Sequence, residues 1–271
     1  MKFFSHRFLI CLILISLVVY LSPDWVPCAS AQSEDSELDR FKDRDKDEDE
    51  DKDREEDNHG ARSWFQEMML RMGFRLAVHS VHYLSQPDST HFAPYPYAQG
   101  MPGFAGSTWS GMRSGFGQAQ LVYHYIDHDL AGRGVRASGR LGSRIGIGVE
   151  GLEYQESLKE GGIETLSMFR LYLAKSLIIH EWIVTDINVG LKTIDEYAGL
   201  EVGGNLLWFV ERPFVVRSAL SLSMIDSDAF VDAYVGTGIL LNRFEVNAGY
   251  RRLLWGGQDL SGFQIGAAFW F

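Results

Sequence analysis

Cysteine is nearly absent from this chain of 271 residues, and its scarcity excludes several kinds of chemistry at once. The two cysteines, Cys11 and Cys28, both precede the cleavage site that we predict below. A mature chain without cysteine has no disulfides, no cysteine-ligated metal centre and no cysteine nucleophile. These three classes of site therefore drop out of the search for a function.

Long apolar runs and a surplus of basic residues are also missing. After the first 31 residues, no stretch reaches the roughly 18 apolar residues that a transmembrane helix needs. If the protein is integral to a membrane, it must be a barrel, because lipid tolerates only helices and closed sheets. The formal charge is −11, and residues 33–57 alone carry −9. The rest is near neutral, and no basic patch argues for nucleic acid.

The first 31 residues have the features of a secretory signal peptide. Lys2 and Arg7 give a positive start, residues 8–21 form an apolar run of 14, and Ala29-Ser30-Ala31 supplies a small-residue cleavage site. This order of charged start, apolar run and small residues predicts a segment that is removed on secretion. The alternative is a lipoprotein signal that keeps Cys28, but the proline before this cysteine argues against it.

Residues 32–60 are predicted to be a disordered acidic linker. Residues 33–57 contain 15 acidic and 6 basic residues, with Leu38 and Phe41 as the only sizeable apolar ones. Such a segment cannot bury enough apolar surface to offset the entropy of ordering. We expect a solvated spacer. The alternative is a periplasmic tether that binds cations or a basic partner.

Residues 61–113 are predicted to contain one amphipathic helix, over 63–84, followed by an irregular loop. Ser63 and Gln66 form a capping box, and apolar residues then recur three and four positions apart. The sequence leaves three placements open for this helix: flat on the membrane, inside the barrel, or against a neighbour.

The loop over 86–112 is rich in Pro, Gly, Ser and Tyr. Residues 93–97 are expected to be extended, because proline disfavours helical backbone in the residue before it. We expect a linker clamped against the barrel mouth. Stacking on a sugar and a place at the membrane interface are the alternatives.

From Ser114 onward the pattern has a period of two, which predicts strands. Each predicted strand reaches the ~9–11 residues that a tilted strand needs to cross a bilayer. The fold class is therefore all-β: a ten-stranded antiparallel transmembrane β-barrel over residues 114–271, preceded by the acidic segment and the helix. The predicted strands are 114–126, 133–142, 145–156, 163–176, 179–191, 197–210, 212–223, 228–241, 243–254 and 259–271.

The two faces of these strands differ in polarity. One is mostly apolar, and the other is small, polar and charged, which in lipid makes the second face the lumen. In the third strand the apolar parity switches between Val149 and Leu152, which predicts a bulge near Glu150-Gly151. Ten charges, five of each sign, are expected to pair in a closed or very narrow lumen. They are Arg136, Arg140, Glu150, Arg170, Asp186, Glu201, Arg217, Asp232, Glu245 and Arg251.

The last strand places Phe263, Ile265, Phe269 and Phe271 on one face. A strand that alternates in this way and stops on Phe resembles the closing strand of bacterial outer-membrane β-barrels. The resemblance implies that these residues belong to the signal read by the barrel assembly machinery. It also implies that the bilayer of the outer membrane surrounds the barrel, with the N-terminal segment in the periplasm and short outer loops after the odd-numbered strands.

The densest group of chemically active side chains is His124, Asp127, His128 and Asp129, at the first outer turn. Ten-stranded outer-membrane proteases of the omptin kind use Asp and His at the outer rim, and the resemblance is limited to strand number and residue type. The local spacing gives only a weak metal site. We expect no cofactor, no metal and no catalysis. The favoured role is a closed barrel that is structural or binds a partner; a narrow pore and a rim enzyme acting on lipid or peptide are the alternatives.

Overall fold

We describe the protein from a computed structural model. It describes Leu38, residues 91–93, 95–98, 103 and 105–106, and then 115–141, 144–158, 162–226, 228–256 and 258–271. The predicted signal peptide, the helix predicted over 63–84 and all of the acidic linker except Leu38 lie outside these residues. Within this part of the chain, no helix has the length and hydropathy of a membrane span.

Ten long strands close into one antiparallel barrel, as predicted. Each pairs with its neighbours in the sequence, and the last strand pairs with the first long one, from Phe263 opposite Tyr125 to Trp270 opposite Gln118. The strands are β3 Gly115–Tyr125, β4 Leu130–Leu141, β5 Ile145–Ser157, β6 Ile163–His180, β7 Ile183–Ile194, β8 Tyr197–Glu211, β9 Phe214–Ile225, β10 Asp228–Leu241, β11 Phe244–Trp255 and β12 Gln258–Trp270. Two short strands, β1 His91–Phe92 and β2 Ala105–Gly106, pair separately.

Side chains alternate between the outside and the lumen along each strand, because successive residues of a strand point to opposite faces. Large apolar side chains lie exposed on the outside, such as Phe263 at 67% and Leu121 at 65%. The lumen holds buried charged and amide side chains. Trp208 and Val216 share the outward parity and are nonetheless buried.

The bulge predicted near Glu150-Gly151 is wrong. Strand β5 pairs without interruption with both β4 and β6 through this region, and Leu152 and Tyr154 point into the lumen. The parity of the apolar residues switches because the lumen itself becomes apolar near its end. Register shifts occur instead in β6, between Ser176 and Ile178, and in β8, between Phe209 and Glu211.

An apolar cluster lies at each end of the lumen. We call the end next to Trp270 the C-terminal mouth and the other end the far mouth. The cluster at the C-terminal mouth comprises Phe92, Ala93, Tyr97, Ala98, Val184, Phe209, Val215, Leu240 and Trp270. The cluster at the far mouth comprises Leu38, Val122, Leu130, Leu152, Tyr154, Leu166, Met168, Ile194, Ile225, Phe230, Leu253, Trp255 and Leu260.

The proline and tyrosine segment packs into the C-terminal mouth, as predicted. Its Tyr97 hydroxyl donates a hydrogen bond of 2.5 Å to the carbonyl of Phe214. A Cβ on Gly103 would lie 1.8 Å from the backbone oxygen of Glu181, so only glycine permits this close approach. The predicted extended backbone is wrong, however: the Ala98 N–H donates to the Tyr95 carbonyl in a turn, and Tyr97 has φ +62°.

At the far mouth the structure describes one residue of the acidic linker. Leu38 is helical and fully buried in the apolar cluster, so at this position the chain is ordered. Its backbone N–H donates a hydrogen bond of 2.7 Å to Glu156 Oε2. Glu156 therefore satisfies this buried backbone donor. Leu38 thus packs in the far mouth, and residues 92, 93 and 95–98 pack in the C-terminal mouth.

Candidate functional site in the barrel lumen

Six buried charged side chains form a closed ring of alternating sign across the middle of the lumen. We call this set the charge ring. Arg251 contacts Glu150 at 2.9 Å and Asp232 at 2.7 Å. Lys192 then contacts Asp232 at 3.0 Å and Glu201 at 3.6 Å. Arg170 completes the ring, at 2.5 Å from Glu201 and 3.7 Å from Glu150.

The charge ring bridges the barrel from wall to wall. The Arg251–Glu150 pair joins β11 to β5, which are separated by three strands in the order around the barrel. All six side chains are at most 8% exposed. Ions this deeply buried are costly unless each is paired with good geometry, and the alternation supplies a partner of opposite sign on both sides of each charge.

Lys192 is the member of the ring that the sequence reasoning missed. The predicted strand ended at residue 191, which left Lys192 in the outer turn 192–196. In the structure β7 continues to Ile194 and the chain turns at Asp195-Glu196. Lys192 and Asp186 have the same parity and so point to the same face of the strand. Extending the predicted strand 179–191 by three residues would have placed the Lys192 side chain in the lumen. Strand ends are the least certain part of such an assignment.

Two further ion pairs lie between the charge ring and the C-terminal mouth. Arg140 pairs with Asp186, whose other oxygen accepts from the Ser176 hydroxyl at 2.8 Å. Arg217 pairs with Glu245, which also accepts from the Trp270 indole N–H at 3.0 Å. These four residues and Arg136, which donates to Glu150 at 2.7 Å, complete the ten predicted lumen charges. Each of the ten faces the lumen and forms at least one ion pair.

A cavity of about 100 Å³ lies between the charge ring and the apolar cluster at the C-terminal mouth. Arg136 links it to the ring, and Phe116 and Trp270 link it to the mouth. Its other polar lining includes Gln118, Ser138, Arg140, Tyr172, Asp186, Asn205, Arg217, Ser218 and Tyr234. Such a lining suits water or a small polar ligand, not an apolar one.

The rim residues singled out from the sequence do not converge. His124 is fully buried in the lumen, where its Nδ1 lies 2.9 Å from the Tyr154 hydroxyl. Asp127 caps its own turn by accepting from the backbone N–H groups of Asp129 and Leu130. His128 is exposed, and its Nδ1 lies 2.7 Å from Oδ1 of the neighbouring Asp129. No group of three or more metal-ligating side chains occurs among the described residues.

The aromatic residues of the last strand lie on its outer face, as their alternation predicts. Phe263, Ile265 and Phe271 are more than half exposed, and Phe269 stacks between the Phe244 and Phe271 rings. Their role in barrel assembly stays a prediction.

Comparison with known proteins returns structural neighbours only. No family model matches the chain, and no curated protein matches it either. Among solved structures it is similar to Ail from Yersinia pestis (12% identity, 58% of this chain, 99% of that chain, TM-score 0.33). It is also similar to the KdgM porin (10%, 57%, 96%, 0.34), solved with a disordered oligogalacturonate, and to LpxR from Salmonella typhimurium (8%, 57%, 100%, 0.35). At this level of similarity, none of the three assigns an activity.

Proposed function

We propose that this chain is an integral barrel of the bacterial outer membrane with a closed lumen, and that it serves a structural or partner-binding role. The observation that carries the proposal is the charge ring, which joins opposite walls of the barrel through six buried side chains. A conducting pore needs mobile water along its axis. Side chains held in mutual ion pairs across the lumen leave no continuous path for that water.

The outer surface supports the membrane location. Its exposed apolar residues, including Leu121, Val135, Leu171 and Ile239, lie on the side where a transmembrane barrel meets lipid. A soluble barrel that carries a lipid inside would have the reverse arrangement, with apolar residues along the whole lumen. Here the large aliphatic residues of the lumen are concentrated at its two mouths.

The separation of the rim residues supports a non-enzymatic role. A nucleophile or general base needs its partner within about 2.6–3.2 Å. His124 points into the lumen and contacts a tyrosine, whereas Asp127 holds a turn. We therefore propose that neither is catalytic. Replacing His124, Asp127 and His128 together tests this proposal. If the unchanged chain acts on lipid or peptide and the triple variant does not, the proposal is overturned.

The decisive experiment is single-channel recording in a planar bilayer with residues 32–271. We expect no conductance steps from protein that migrates as a folded barrel on unboiled gels. Reproducible steps from the unchanged chain would overturn the closed lumen and support the narrow pore. A matched positive control replaces Glu150, Lys192, Asp232 and Arg251 with serine, which removes both partners from three contacts of the ring and should open a measurable path if the variant folds.

A further inference from the structure

The charges that face the lumen from the charge ring to the C-terminal mouth do not balance. They are the ten predicted residues and Lys192, which makes six cations and five anions. Glu156 also faces inward, but it lies at the far mouth, where it accepts from the Leu38 N–H. The charge ring is balanced within itself, and Arg140 with Asp186 and Arg217 with Glu245 form two more neutral pairs. Arg136 is the cation left over, because its carboxylate, Glu150, already belongs to the ring.

The surplus charge borders the cavity. Arg136 lines it, and at 21% its side chain is the most exposed of the six lumen cations. Its Nη2 donates to Glu150, but its buried Nε has no hydrogen-bond partner among the described residues. A guanidinium with an unused, buried N–H and no carboxylate of its own carries an electrostatic cost that a bound anion would remove.

A second buried donor faces the same cavity. Tyr234 is 7% exposed, lines the cavity, and its hydroxyl has no hydrogen-bond partner among the described residues. Gly236 makes room for that hydroxyl, since a Cβ at this position would lie 2.3 Å from it. The Arg136 Nε–H and the Tyr234 hydroxyl can each donate a hydrogen bond. The cavity therefore presents two donors that have no acceptor among the described residues.

We propose that the lumen cavity binds one small monovalent anion, a halide or a short carboxylate, between Arg136 Nε and the Tyr234 hydroxyl. Its volume of about 100 Å³ leaves room for such an ion together with water. Arg140 and Arg217 line the same cavity and add positive potential, while Asp186, which also lines it, is engaged by Arg140 and Ser176. A single negative charge makes this part of the lumen neutral.

The experiment is thermal unfolding of the mature chain in a non-ionic detergent, with sodium chloride, bromide or acetate compared with sodium gluconate at equal ionic strength. A ligand that binds only the folded state raises the unfolding midpoint with its concentration. We expect the small anions to raise the midpoint by roughly 5 °C relative to gluconate when their concentration is on the order of 100 times Kd. A midpoint that is the same in all four salts would overturn the proposal.

Three variants separate the site from general salt effects. Arg136→Gln removes the surplus charge, and Tyr234→Phe removes only one hydroxyl from a residue that keeps its packing. Both should lose the difference between chloride and gluconate. The control is Arg133→Gln, because Arg133 pairs with Glu153 on the outside at 67% exposure and lies outside the cavity. If Arg136→Gln fails to fold, Tyr234→Phe decides alone, and an anion effect retained at full size in Tyr234→Phe contradicts the site.

Bromide also gives a direct readout. An anomalous peak in the cavity, beside Arg136 and Tyr234, would support the proposal. Its absence from crystals grown in bromide would contradict it, and peaks confined to the outer surface would identify the salt effect as an adventitious ion only.

Discussion

The middle of the lumen and its two mouths are built on opposite principles. In the middle, six charged side chains pair with one another in a ring, and these ion pairs hold each side chain in a fixed position. At the mouths, aromatic and aliphatic side chains pack around Trp255 at one end and Trp270 at the other, with few charged neighbours such as Glu156 and Glu245. Burial of the ring between these clusters strengthens its ion pairs, because charges interact more strongly away from bulk water. The same strands therefore supply both a polar interior and apolar ends.

The largest effect is expected from breaking the charge ring. Arg251→Ala removes a cation that contacts both Glu150 and Asp232, and it leaves buried carboxylates short of a partner. Removal of one partner of a buried ion pair costs about 3–5 kcal/mol. We expect a fall of that size in the free energy of unfolding, measured by urea titration in detergent.

The matched control for this prediction is Arg133→Ala on the outer face. Arg133 and Glu153 are 67% and 43% exposed, and exposed pairs contribute about 0–1 kcal/mol. Equal losses of unfolding free energy in the two variants would mean that water reaches the charge ring despite its burial. The ring and the surface pair would then no longer differ in the way proposed.

A smaller effect is expected from opening the far mouth. Leu38→Ala leaves a gap in an apolar cluster where the leucine is fully buried, and such truncations cost about 2–5 kcal/mol. We expect the lower end of that range, measured as above, because the cost depends on how far the site can collapse and this site lies at the end of the barrel. Leu220→Ala is the comparison, since Leu220 is 59% exposed on the outside. An unchanged stability in Leu38→Ala would show that the barrel closes without it.

The smallest effect is expected from crowding one wall of the far mouth. A Cβ on Gly132 would lie 2.5 Å from the Tyr154 ring, which is fully buried and hydrogen-bonded to His124. Gly132→Ala should therefore destabilise the barrel by about 1–3 kcal/mol, as overpacked sites do. Gly151→Ala has nothing within 4 Å of its new methyl group, so its unfolding midpoint should equal or exceed that of the unchanged chain. The contrast disappears if the Tyr154 ring can rotate away.

The barrel itself was predictable because alternation along a strand is a local signal. Phe244, Val246 and Tyr250 against Glu245, Asn247 and Arg251 sort into two faces without any knowledge of neighbouring strands. The same signal misled us at Leu152 and Tyr154, because it reports polarity and the lumen is not polar at its ends. The alternation also ended the predicted strand just before Lys192, because the ends of strands carry little periodic information.

The sequence by itself determined that ten alternating strands follow residue 114 and that ten named charges share one face of them. Those properties depend on residue type and spacing along one chain. Only the tertiary structure decided which charges meet, because Arg251 and Glu150 lie 101 positions apart and come together through barrel closure. It alone placed Leu38 in the far mouth and residues 92, 93 and 95–98 in the other, and it left Arg136 as the unbalanced cation beside a cavity. Such pairings depend on how the strands stagger around the barrel, and no local pattern in the chain encodes that stagger.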